Sequence, residues 1–222
     1  DPLYAPQSKE DSDIFNRFLL AGYEFVQTWK GFVYHMTCRG SRFADGAKRN
    51  PDGEVFMKNR ETDEWLKQNH KSTRNFIRKW GHMVKHDALM KPIVPPKYDI
   101  GFVVKNCSHM TLYELEPWCS TIYTDWGWKA YIDTEQENTM FDLKDRVKSR
   151  IEDTPDNDII VTFDAKEFTP EQFNYLAQLS EILANDEGIE DDTVGEFDLG
   201  IFKIQINSAR TYEEELVICK RS

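Results

Sequence analysis

Residues 8–43, SKEDSDIFNRFLLAGYEFVQTWKGFVYHMTCRGSRF, decide how the rest of the chain is read. Ser8 followed by Asp11 reads as a capping box, and Ile14, Phe15, Phe18 and Leu19 recur at helical spacing until Gly22. Glu10, Asp11 and Asp13 then share one first turn. Residues 25–29 and 32–34, aromatic and β-branched, read as strands. The second delivers His35 to a loop carrying Arg39, Gly40, Ser41 and Arg42. Carboxylates at a helix start and a histidine at a strand end can converge on one pocket. Acidic residues in a first turn also complement the helix dipole with no further role, and a lone strand-end histidine is often structural, so spacing alone leaves both readings open.

Glu10-Asp11-Ser12-Asp13-Ile14-Phe15 with Arg17, then Gly22-Tyr23, then Tyr34-His35, resembles the second half of the catalytic domain of family-2-type inverting glycosyltransferases of the GT-A fold. In that family an ED motif opens the helix below the acceptor site, and a Tyr-His strand end follows. The resemblance implies an α/β chain: the acceptor-side C-terminal half of a GT-A-like domain (residues 1–92), followed by a small accessory α/β domain (residues 98–222). It implies transfer of a sugar from a nucleotide-sugar donor to a carbohydrate, lipid or protein acceptor. In that scheme Asp11 takes the proton of the attacking hydroxyl and Glu10 holds the acceptor. His35 completes a site for a divalent metal, Mn2+ or Mg2+, and Arg39, Ser41 and Arg42 bind the diphosphate, whose growing charge must be neutralised as it leaves.

Outward from this stretch, a complete domain of the family would begin with a parallel-stranded nucleotide-binding half ending in an apolar strand that carries DxD. Asp11-Ser12-Asp13 opens a helix and Asp156-Asn157-Asp158 sits in a polar turn, so neither has that context. The expectation is a fragment lacking the donor-binding half and inactive alone. The competing expectation is a non-catalytic interaction module whose acidic α/β domain docks a partner.

The net charge of −11 is uneven: residues 1–97 carry 17 Lys+Arg against 12 Asp+Glu, and residues 98–222 carry 11 against 27. The acidic half would repel phosphates, which argues against nucleic acid. No apolar run approaches the roughly 18 residues of a membrane span, and no signal-peptide layout opens the chain, so a cytoplasmic location is expected. Cys38, Cys107, Cys119 and Cys219 are scattered without a CxxC pair and read as reduced thiols.

Residues 44–60 read as a long surface loop, either a lid or disordered. A helix is expected from Thr62 to about His86, with Trp65, Leu66, Asn69, Thr73, Phe76, Ile77, Trp80 and Val84 on one face. Lys67, Lys71, Arg74 and Arg78 form a stripe that reads as a solvated face, the alternatives being contact with a diphosphate or peripheral contact with an anionic membrane. His82 and His86 have the spacing of a metal pair but no third ligand nearby. The prolines at 92, 95 and 96 mark a boundary. Beyond them strands are expected at 100–104, 121–124 and 158–163, a helix capped by Ser108, and a helix over 143–151. A capping box at Thr169-Pro170-Glu171-Gln172 opens a further helix, and strands at 196–206 and 215–219 close the domain. Asn106, Asp125 and Asp164 each follow a strand, where α/β sheets bind ligands. Without GxGxxG or GxxxxGK[ST] they read as turn and solvation chemistry.

Overall fold

The computed structural model describes residues 1–6, 8–31, 63–126, 128–185, 189 and 193–217. Its centre is a six-stranded mixed sheet, which places the chain in the α/β class. β1 (Ile100–Lys105), β2 (Thr121–Thr124), β3 (Val147–Ser149), β4 (Ile159–Asp164), β5 (Gly195–Leu199) and β6 (Phe202–Ile206) lie in the order β3-β2-β1-β4-β6-β5. The first four are parallel, β6 runs antiparallel to β4, and β5 antiparallel to β6. β1 and β4 are the apolar runs, and they pair along their whole length from Ile100↔Ile159 to Lys105↔Asp164. A strand buried between two parallel neighbours must be apolar on both faces, and β1 is: Ile100, Gly101 and Phe102 are consecutive buried residues. Gly101 is fixed by the approach of a neighbour, since a Cβ there would meet Asn157 Oδ1 at 2.2 Å.

Helices α3 (His109–Leu115), α4 (Trp128–Glu135), α5 (Leu143–Arg146), α6 (Pro170–Ala177) and α7 (Leu179–Ala184) pack around this sheet. Ser108 caps α3 through Thr111 N, and Thr169 caps α6 in a box with Gln172, as expected. Three expectations are corrected. The helix expected over residues 143–151 stops at Arg146, because residues 147–149 pair with β2 as β3, burying Val147 and Ser149. The helix after Thr169 breaks at Gln178 into α6 and α7. Residues 214–217 form a helical turn, α8 (Glu214–Val217), rather than a strand.

Before the sheet come α1 (Glu10–Leu20) and α2 (Asp63–Trp80). α2 ends six residues earlier than expected because Gly81, at φ 78°, takes the left-handed conformation that closes a helix. Phe76 and Trp80 of α2 build a second core with Leu3, Tyr4 and Leu216. Residues 25–28 are irregular and Trp29–Gly31 is a 3-10 turn, so the strand expected at 25–29 is absent. No helix among the described residues is long and apolar enough to cross a membrane.

The stripe expected to face solvent does not. Lys67 is exposed, but Arg74 and Arg78 are buried. Arg78 donates to both oxygens of Glu116 and to Glu135 Oε1 (2.6 Å), and Arg74 Nε donates to the same Glu135 oxygen (2.9 Å). Arg146 Nε closes the cluster on Glu116 Oε1 at 2.6 Å. Burial alone would raise the Glu116 carboxyl. The charges of Arg146 and Arg78 and their hydrogen bonds outweigh it and hold the group at about 2. The cluster locks α2 onto the sheet-bearing part of the chain.

Candidate functional site

Two sites emerge. The first surrounds Asp11. Ser8 does not cap α1: Ser8 and Lys9 both take positive φ, Lys9 is the N-cap without a side-chain bond, and Ser8 Oγ donates to Asn69 Oδ1 at 2.7 Å. Glu10 and Asp11 are exposed in the first turn. Asp11 lines a cavity of about 890 Å3 with Ser12, Phe15 and Asn16 of α1, bounded by residues 25–27 and by the turn 84–92; Glu10 is not among its lining residues. Asp13, expected to serve only the helix dipole, is fully buried. It accepts from Tyr4 OH (3.1 Å), Lys79 Nζ (2.6 Å), Trp80 Nε1 (3.0 Å) and Arg17 Nε (2.9 Å). His35, Arg39, Ser41 and Arg42 lie outside the described residues, as does the loop 44–60. His82 and His86 do not pair as ligands. Both follow the end of α2; His82 is buried with Nδ1 against Met83 O, whereas His86 is exposed with Nδ1 against Asp87 O.

The second site lies at the carboxyl ends of the parallel strands. From β1 the chain steps outward to β2 and β3, then returns to β4 on the other side of β1, so the β1/β4 border is a topological switch point. Open α/β sheets bind ligands in the crevice at such a point. Asn106, following β1 at φ 54°, reaches across it: Nδ2 donates to Asp164 Oδ1 and Oδ2 at 2.9 and 2.8 Å, and its backbone N–H donates to Asp125 at the end of β2. Arg150, just past β3, pairs with Asp125. Lys166 N donates to Asp164 Oδ1 at 3.0 Å. That bond, the Asn106 amide and the charges of Lys166 and Lys105 keep the half-buried Asp164 carboxyl below its usual range. A cleft of about 510 Å3 adjoins these strand ends, walled by Ala165, Tyr113, Trp118, Phe168 and Phe173 and by His70 of α2. Arg74 lies over the Tyr113 ring at 3.8 Å, and desolvation with the Arg74 charge lowers the His70 pKa, favouring the neutral ring.

The sequence reading named Asn106, Asp125 and Asp164 separately, and the structure brings them together. It missed Arg150, hidden in a segment read as helix, and Lys166, which only the pairing of β1 with β4 gives a context. The two sites share no lining residue, although the start of α1 reaches α2 beside the second: Ser8 binds Asn69, the neighbour of His70. Asp13 binds Lys79 and Trp80 at the end of α2, and α1 touches α8, which follows the segment at the amino edge of the sheet where Tyr212 N donates to Lys97 O. The six residues of β1 span about 20 Å from that edge to Asn106.

Among the described residues no group of three His, Cys, Asp or Glu side chains is placed to hold a metal. No family model, curated protein or solved structure matches the chain.

Proposed function

We propose that the chain serves glycosyl transfer from a nucleotide-sugar donor whose diphosphate is held at the strand-end site, and that Asp11 meets an acceptor hydroxyl in a second centre. The observation that carries this reading is the convergence of Asn106, Asp125, Arg150 and Asp164 at the β1/β4 switch point. The family's donor half is parallel-stranded, ends in an apolar strand with DxD and precedes the ED helix. Four parallel strands and the apolar β4, ending Asp164-Ala165-Lys166, have part of that layout, but they follow the ED helix in the chain and lack the second aspartate. Lys166 replaces the second carboxylate, and a lysine there supplies a positive charge to a diphosphate.

A divalent ion of the Mg2+ type takes one or two carboxylates together with substrate phosphates, and the ionised, half-buried Asp164 suits that role. Bound there, it would neutralise charge on the leaving diphosphate. The protein's own contribution is Arg150, Lys166 and Lys105 around the phosphates and Asn106 fixing the Asp164 carboxylate. In its own centre Asp11 would accept the hydroxyl proton as the acceptor oxygen bonds to the anomeric carbon of a second donor bound there, whose bond to its own diphosphate breaks. Because the two sites share no lining residue, we read them as parts of two transfer centres, each with its own donor.

Calorimetry of the whole chain with UDP and Mg2+ or Mn2+ tests the carrying observation. We expect binding tighter than roughly 1 mM, weakened about tenfold in Asp164→Asn. Absence of binding at roughly 1 mM would remove the donor reading. One feature favours a second reading as an interaction module: α1 buries Asp13 and Asn16 while Ile14, Phe15 and Phe18 are exposed. Retained folding with no nucleotide binding would support it.

A further inference from the structure

We propose that the cavity beside Asp11 binds an amphipathic hydroxyl compound, a sugar carried on an apolar tail, and that Asn16 fixes its polar head. This rests on the reading of Asp11 as the group that meets the acceptor, and it names the class of acceptor. The cavity has two walls. One is the face of α1 on which Asp11 and Phe15, and Ser12 and Asn16, stand one turn apart. The other is the turn 84–92, tied by Asp87 N to Lys91 O (2.9 Å) and Ile93 N to Lys85 O (3.0 Å). Gln27 donates to Leu89 O and holds residues 25–27 against that turn.

Most of the lining is apolar, with Phe15, Phe25, Val26, Leu89 and Met90 contributing large side chains. A free sugar or a nucleotide would leave that surface unused, whereas an alkyl chain fills it. Polar groups stand on both walls, Asp11, Ser12 and Asn16 on α1 and Lys85, His86, Asp87 and Lys91 on the turn. Asp11 accepts a hydroxyl proton. Asn16 is 3% exposed, and its Nδ2 has no hydrogen-bond partner. A buried donor left unpaired is a cost that folding alone does not explain, and a ligand oxygen lodged against Asn16 removes it. On the opposite wall Lys85 is engaged by Glu181.

The test uses the full chain with n-octyl glucoside below its micellar concentration and with glucose, followed by calorimetry and by the side-chain amide resonances of 15N-labelled protein. Octyl glucoside is expected to bind and to shift the Asn16 amide pair, and glucose to bind at least tenfold more weakly. Asn16→Leu removes the unpaired donor at similar volume, so it should raise the melting temperature while weakening octyl glucoside about tenfold. Val84→Trp, which fills the cavity from the opposite wall, should abolish binding and serves if Asn16→Leu misfolds. Three results would overturn the proposal: no binding of octyl glucoside to the native chain, glucose binding as tightly, or unchanged affinity in a folded Asn16→Leu or Val84→Trp variant. Loss of the glycosyl-transfer reading is seen separately, as octyl glucoside binding that persists with no transfer in any assay.

Discussion

At the scale of single residues, Asp13 shows what sequence spacing hides. Three acidic residues in a first helical turn look equivalent, and the helix dipole would reward each by a few tenths of a kcal/mol. In the fold they are not equivalent. Glu10 and Asp11 are exposed, while Asp13 gathers Tyr4, Arg17, Lys79 and Trp80 around one buried carboxylate. Two of those partners lie 66 and 67 positions further along the chain, beyond the reach of any local pattern. Asp13→Asn keeps the shape but removes the charge facing Lys79 and turns an amide donor toward other donors. We expect a loss of about 3 kcal/mol, measured by urea unfolding, the range for breaking one member of a buried pair. A loss below about 0.5 kcal/mol would return Asp13 to the helix dipole.

At the scale of elements, α2 is the part whose existence was legible and whose role was not. Its apolar period from Phe76 to Trp80 marks the helix, and Gly81 marks its stop once the positive φ is known. A stripe of Lys and Arg at intervals of three and four, however, looks the same whether it faces water or buried glutamates. Nothing local to Arg74 and Arg78 announces Glu116, from the turn after α3, or Glu135, from α4. Within this cluster Glu116 is the pivot, touched by Arg78, Arg146 and Tyr131. Removing Arg78 leaves two arginines facing two glutamates; neutralising Glu116 leaves three facing one. Glu116→Gln should therefore cost about 3–5 kcal/mol at neutral pH and Arg78→Met distinctly less. The sign with pH follows from the depressed carboxyl: its stabilisation is full above about 4.3, the unfolded value, and is lost as pH falls through about 2. Denaturation curves from pH 7 to 2 should converge for the native chain and Glu116→Gln, and parallel curves would show that Glu116 is not the titrating pivot.

At the scale of the whole molecule, the alternation of strands and helices after Pro96 was readable, because β1, β2 and β4 are apolar runs bounded by caps and turns. Strand order was not. Asn106 and Asp164 are 58 residues apart, and only the return of β4 to the far side of β1 makes them neighbours. Position also decides how the two candidate sites relate. Among the described residues the strand-end cluster and the Asp11 cavity share no lining residue, and the helix α2 between them is held by its buried ion cluster. Coupling between ligands needs an element with two arrangements that both ligands bias. Nucleotide at the strand ends should then leave octyl glucoside affinity at the Asp11 cavity unchanged within about twofold. Asp164→Asn should weaken nucleotide alone, and Asp11→Asn should alter only the cavity ligand, as expected of independent sites. Calorimetric titration of each ligand with the other saturating measures this directly. A change in affinity of about tenfold or more, reciprocal between the two ligands, would mean that the two sites communicate and that donor and acceptor meet in a single centre.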